Sequence, residues 1–251
     1  MEREIPEGAA GVGRAGAASA DREGAPSANR PLRQTSASSG GALALFGRLF
    51  KPGVFAVCMT PAVVLLYRTF YTGNLGANPA ETLLHETGRP ALQMLLATIA
   101  VSPLRRLTGW SRLIRVRRML GLFAFSYALV HFSFYLTFDR LFDLAGVVDD
   151  VIERKFILSG MTALACMLPL ALTSTRGWIR RLGGKRWQRL HRLVYVAAAA
   201  GALHFIWKEK VLTAETLTYF SIVTFLLGFR VVDALRRRVG VAPLPERETS
   251  L

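Results

Sequence analysis

The sequence predicts an all-α integral membrane protein: a bundle of six transmembrane helices with both termini in the cytoplasm. Three observations carry that expectation. Of the 251 residues, 51% are hydrophobic, yet the formal net charge is +15. A soluble protein that basic is normally less apolar, so the pairing points to a membrane protein with its Lys and Arg in loops on one side. Six apolar segments follow one another along the chain, each near the about 20 residues that a spanning helix needs. The loops between them alternate in charge. Nucleic-acid binding is the other ordinary source of such basicity. It is set aside because the arginines fall between apolar runs and not along one polar face.

Residues 1–41 are rich in Ala, Gly, Ser and Arg and hold no apolar run before Leu43. They lack the apolar core of a secretory signal, so a disordered cytoplasmic tail is expected. The transmembrane domain is expected over 42–238. Its first span covers about 54–71, with Arg68 near its end. The second, 90–104, is short and is expected to start about a turn earlier. There Arg89 would snorkel to the headgroups and Pro90 would take the first turn, where a missing N–H costs nothing. The third to sixth spans cover 119–138, 156–173, 190–207 and 216–235, the last with Arg230 and Asp233 in its final turns. A short cytoplasmic tail, 239–251, closes the chain.

The loop charges orient the bundle. Arg48 and Lys51 precede the first span, and Glu81, His85 and Glu86 follow it. The next loop carries Arg105, Arg106, Arg112, Arg115, Arg117 and Arg118. The one after is acidic on balance, with Asp139, Asp143, Asp149, Asp150 and Glu153 against Arg140, Arg154 and Lys155. The next is basic again, with Arg176, Arg180, Arg181, Lys185, Arg186 and Arg189. The last loop is nearly neutral, and Arg236, Arg237 and Arg238 end the sixth span. Cytoplasmic loops hold the Lys/Arg excess, so the first, third and fifth spans run outward.

Ionisable groups at membrane depth are costly and usually functional. His131 lies 13 residues past Arg118, and His204 lies 13 past His191. At a rise of about 1.5 Å per residue, both sit roughly 20 Å from the cytoplasmic edge. Two imidazoles at one level on helices running the same way suit the two axial positions of a haem iron. A lone membrane histidine is more often a packed, hydrogen-bonded one; the matched pair shifts the balance toward ligation. His191, at the cytoplasmic threshold, shares a helical face with Trp187, Leu190 and Val194, and is expected to point into the bundle as ligand of a second, inner group. The matching depth on the third span holds Arg117 and Arg118, poor iron ligands but good partners for a propionate or a phosphate. With Lys185 and Arg186 they are candidate anchors for haem propionates or a flavin phosphate. Ala197 to Ala200 and Gly201 would admit a flat macrocycle or a packed helix. His85 is expected as an exposed loop residue or helix cap. Cys58 and Cys166 form no C-x-x-C and read as buried apolar residues. There is no Walker loop, G-x-S-x-G or H-E-x-x-H motif and no soluble domain for a nucleotide.

Across about residues 42–238 the sequence resembles the MsrQ (YedZ) family, haem-binding membrane subunits within the ferric-reductase-like transmembrane group. The stretches that carry the resemblance are GNLGANP (73–79), HETGRPAL (85–92), LLATIAVSPLRR (95–106), RRMLGLFAFSYALVHFSFY (117–135), PLALTSTRGWIRRLGGKRWQRLHRLVYV (169–196) and LHFIW (203–207). This chain has an extra glycine at Gly183-Gly184. The resemblance implies b-type haem, one or two, bound by His131, His191 and His204, and an FMN cofactor. It implies electrons drawn from the quinone pool or a cytosolic flavin reductase, and a location in the cell inner membrane. The implied partner is a periplasmic molybdopterin reductase, MsrP, that reduces methionine sulfoxide in oxidised periplasmic proteins. This subunit would then carry electrons and do no substrate chemistry. Two competing expectations stand beside it: a stand-alone quinol- or ferric-reducing b-type cytochrome, and a cofactor-free scaffold or transporter.

Overall fold

A computed structural model describes residues 37–209, 211 and 213–239. The expected tail over 1–36 and nearly all of 239–251 lie outside the described residues. Helix α1 is Ala37–Tyr67, so it begins inside the segment expected as tail. It continues as a π-helical turn, Arg68–Thr72, and stops at Gly73, whose φ of 60° suits a residue without a Cβ.

The second helix departs from the sequence reading. Helix α2 is Pro79–Thr108, about two turns longer at its start than expected. The Asn78 side chain accepts from the Glu81 N–H at 3.3 Å and Pro79 takes the first helical position. These are the cap and the proline that start a helix. Pro90, expected there, lies mid-helix. Gly109, at φ 70°, ends α2 by donating to the Arg105 carbonyl at 2.8 Å.

Helix α3, Ile114–Phe134, also ends in a π-helical turn, Tyr135–Asp139. The acidic loop beyond it, read as irregular, folds as helix α4, Leu144–Glu153. Helix α5 is Lys155–Leu172. The basic loop forms two short helices, α6 (Arg176–Leu182) and α7 (Gly184–Leu190). The fifth expected span is therefore broken at His191 and Arg192, and α8 is Leu193–Lys208. Helix α9, Ala214–Arg238, starts on Thr213, whose hydroxyl accepts from the Thr216 N–H at 3.2 Å.

The most intimate pairs are α2 with α3 and α5 with α8. Contacts of α3 with α5 and of α2 with α8 close these pairs into a four-helix centre, with α1 and α9 packed outside it. Ala197 and Ala198 are 0% exposed, and a Cβ on Gly201 would lie 3.7 Å from Leu92, so the small-residue run packs α8 against its neighbours. Cys58 is buried and the Tyr127 hydroxyl locks α1 above it. That hydroxyl donates to the Cys58 carbonyl at 2.8 Å and accepts from the Ala62 N–H at 3.1 Å, bridging a pair that an unbroken helix would bond directly. At the other side Arg106 meets Asp233 at 2.5 Å, tying α2 to α9.

The outer surface is apolar. Phe55, Val57, Val63 and Leu66 on α1, and Phe220, Phe225, Val231 and Val232 on α9, are all exposed. A patch of that extent has to be covered by lipid or protein. Among the described residues, five stretches are long and apolar enough to cross a membrane: Arg48–Thr72, Ser111–Asp139, Lys155–Leu172, Gly184–Lys208 and Ala214–Arg236. α2 is not one of them, although it was expected as the second span. Its position explains the difference. Leu92, Leu95, Leu96, Ile99 and Val101 are buried against other helices, so α2 is shielded by protein and can carry Gln93, Arg89 and its threonines.

Candidate cofactor cavity

The side chains that fill the centre belong mainly to the halves of the helices near the basic loops. Ile99, Leu113, Val116, Leu120, Ala124 and Val194 make a solid core there. At the opposite end α2, α3, α5 and α8 part around a cavity of about 1170 Å³. That exceeds the roughly 300–1,000 Å³ of ordinary ligand pockets. Its wall is mostly apolar, with Leu92, Leu95, Phe156, Met161 and Met167 among the lining residues.

His131 and His204 both line it. Their ring centroids stand 6.0 Å apart with the planes at 81°. The depth argument from sequence therefore brings together the two rings it paired. Each ring is held by a backbone carbonyl of a neighbouring helix. Nδ1 of His131 lies 2.9 Å from the Leu84 carbonyl oxygen and Nδ1 of His204 lies 2.7 Å from that of Phe156. A carbonyl oxygen only accepts, so Nδ1 carries the proton and a neutral ring keeps its lone pair on Nε2. That is the tautomer a metal-binding imidazole uses, with the other ring nitrogen fixed by a hydrogen bond.

Two glycines make room for the rings. A Cβ on Gly160 of α5 would come within 2.7 Å of His204 Nδ1, and one on Gly88 of α2 within 3.0 Å of His131. The spacing also suits a shared ion. Nitrogen–metal bonds of about 2 Å on opposite sides of one metal set the ring centres roughly 6 Å apart. Cavity volume, tautomer and ring separation all fit a flat macrocycle with its metal held between the rings.

His85 is a correction. It sits on α2, one turn before Arg89, half-buried, and it lines the same cavity. Lys208, one turn beyond His204, donates its ammonium to His85 Nε2. Arg89 was expected to reach lipid headgroups. It instead lines the cavity, with one terminal nitrogen 3.2 Å from Glu215. A further wall group is Asp150, 2% exposed, which accepts from Tyr135 and from the Arg140 Nε at 2.5 Å each, and pairs with Arg154 at 3.0 Å. Burial raises the carboxyl, but the Arg140 hydrogen bond outweighs it and holds Asp150 below the usual carboxylate range. Sequence reading scored 139–155 by net charge and so missed this cluster; the spacing of Arg140, Asp150 and Arg154 around a short amphipathic stretch was the available signal.

The other predicted residues lie away from this cavity. His191 is half-buried and stacks on Trp187 with centroids 3.8 Å apart, so the two share a face as expected. Its Nδ1 is 3.1 Å from the Trp187 carbonyl. Arg117 reaches the Ser102 hydroxyl at 3.3 Å. Arg118 lines a shallower groove with Lys51 and Arg115, and Lys185 and Arg186 are exposed on α7. None of these four basic residues lines the His131–His204 cavity. Arg230 of α9 lies 5.4 Å over the Tyr195 ring.

An all-helical bundle with an apolar exterior and paired imidazoles inside it defines a class. Residues 87–202 match the family described as "Ferric reductase like transmembrane component". The chain is a multi-pass membrane protein of that ferric-reductase-like class. The protein-methionine-sulfoxide reductase heme-binding subunit MsrQ of Rhodospirillum rubrum is 45% identical over 82% of this chain and 99% of its own. Those of Herminiimonas arsenicoxydans and Azospira oryzae are 47% and 43% identical, over 76% and 79% of this chain and 88% and 84% of their own. The chain belongs to the MsrQ family. No solved structure matches it.

Proposed function

We propose that this chain is the haem-carrying electron-transfer subunit of a methionine-sulfoxide reductase system in the bacterial inner membrane. His131 and His204 hold a b-type haem between them in the outer half of the bundle. One observation carries this reading. Both rings are fixed through Nδ1 to backbone carbonyls, with centroids 6.0 Å apart in a cavity of about 1170 Å³. The haem is non-covalent, since Cys58 and Cys166 make no C-x-x-C-H motif. When bound, it supplies a one-electron couple tuned by its axial ligands and their hydrogen bonds.

Six helices cross the membrane over 42–238, with α2 as the shielded one, and both termini are cytoplasmic. His191 with Arg117, Arg118, Lys185 and Arg186 then forms the inner end, where electrons enter through a second haem or FMN from the quinone pool or a flavin reductase. Electrons leave at the outer end toward a periplasmic molybdopterin reductase of the MsrP kind that repairs oxidised methionines. This chain's residues position the carrier and exclude water from it; the sulfoxide chemistry belongs to the partner.

The test is an absorption spectrum of the purified chain, oxidised and dithionite-reduced, after haem-sufficient expression. The wild type shows a Soret band and a sharp reduced α band. His131→Ala and His204→Ala each lose the outer haem's share of that signal. A wild type without the bands, or alanine variants that keep them unchanged, overturns the assignment.

A further inference from the structure

Arg89 is a guanidinium with a job left over. It follows Gly88, which packs on the His131 ring, and its side chain lines the cavity. Its Nε is buried and has no hydrogen-bond partner among the described residues. An unsatisfied buried N–H on a cation is expensive to leave unmade. The remaining contact of Arg89, with Glu215 at 3.2 Å, joins two side chains 40% and 42% exposed, a pair of the weak surface kind.

The other cations of the cavity wall are committed elsewhere. Arg140 and Arg154 both pair with Asp150. Lys208 donates to His85 and lies 3.6 Å from Glu209. Arg89 stands on α2, next to Gly88, which packs on the His131 ring.

We infer that Arg89 is the anchor for a carboxylate of the bound macrocycle, fixing its rotation about the His131–His204 axis. The inference rests on the haem assignment to these two histidines. It places a propionate at α2, not on Arg117, Arg118, Lys185 or Arg186. A terminal nitrogen of the guanidinium supplies a charge-assisted bond to the carboxylate once Glu215 is released, and the planar fork admits a second.

The test uses the full-length, haem-loaded protein in detergent. Three variants are compared with wild type: Arg89→Gln, Arg89→Lys, and Arg68→Gln. Arg68 pairs with Glu86 at 3.4 Å near the same end but does not line the cavity. The readouts are the propionate-bending bands in resonance Raman spectra and the rate of haem transfer to an excess of apomyoglobin. Arg89→Gln shifts a propionate band and speeds transfer roughly tenfold or more, the worth of one charge-assisted bond. Arg89→Lys keeps the charge, so its transfer rate falls between the two while the band still shifts. Arg68→Gln matches wild type. Arg89 variants with wild-type bands and transfer rates overturn the inference while leaving the haem assignment intact. So does equal loosening in the Arg68 and Arg89 variants, which marks a general effect of outer-face charge. Should Arg89→Gln not fold, Arg89→Lys decides alone, by its band. A wild type without haem overturns the haem assignment itself, and this inference with it.

Discussion

Gly160 shows how little latitude the site leaves at the level of single atoms. A methyl there would press on His204 Nδ1, the atom that must donate to the Phe156 carbonyl. Gly201 lines the same cavity but would meet only Leu92 and Leu95 at ordinary contact distances of 3.7 and 3.9 Å. Gly160→Ala should therefore cost roughly 1–3 kcal/mol of overpacking and displace the ring, lowering haem occupancy and altering the low-spin EPR signal of the purified protein. Gly201→Ala should leave both near wild type. Equal occupancy in the two variants would show that the ring has room to give. The juxtaposition of His131 and His204 was legible in the sequence because helical rise converts position into depth. It could not find Gly160 or Gly88, because a glycine's use here is defined by what stands opposite it on another helix. His85 was misread for a related reason. HETGRPAL looks like a loop ended by Pro90, but the chain had already started its helix at Asn78 and Pro79.

At the level of elements, α4 closes the cavity end of the bundle. It docks through Asp150 on Arg140, at the end of α3, and on Arg154, at the start of α5. Arg140 is correspondingly held above its ordinary value by the Asp150 hydrogen bond. Because Asp150 is held below the value of an unfolded aspartate, it stabilises the fold above about pH 4. That stabilisation is lost as pH falls through the lowered value. In thermal melts between pH 7 and pH 3.5, the wild type should lose several degrees more than Asp150→Asn does, because the amide has no charge to lose. Parallel pH profiles would remove Asp150 from the docking role. The elements themselves were legible as apolar runs of spanning length, which long helices cannot hide. α4, α6 and α7 were not, since short helices between spans are set by contacts with the bundle and their charges read as loop.

The whole molecule poses a parity question. With α2 crossing, the number of spans is even and the two ends of the chain share one side; without it they lie on opposite sides. Reporter fusions at residue 1 and after residue 251 should both be active in the cytoplasm. Single cysteines at Asn74 and Asp149 should be labelled by an impermeant reagent from outside, and one at Lys185 from inside. Termini on opposite sides would make α2 a helix that enters and does not cross. Loop charge predicts an even number, because its sign alternates over six segments. Hydropathy alone does not, because α2 is sheltered by α1, α3, α8 and α9 and its composition answers to protein more than to lipid.

The two ring nitrogens that fix the tautomers are bonded to main-chain oxygens, those of Leu84 and Phe156. A main-chain oxygen is the same atom whatever side chain is attached. The tautomers therefore do not depend on which side chains stand at 84 and 156, although the Phe156 ring also lies 6.0 Å from the His204 ring. The lining of this cavity can change, residue by residue, while the ring nitrogens on its axis keep the same tautomers.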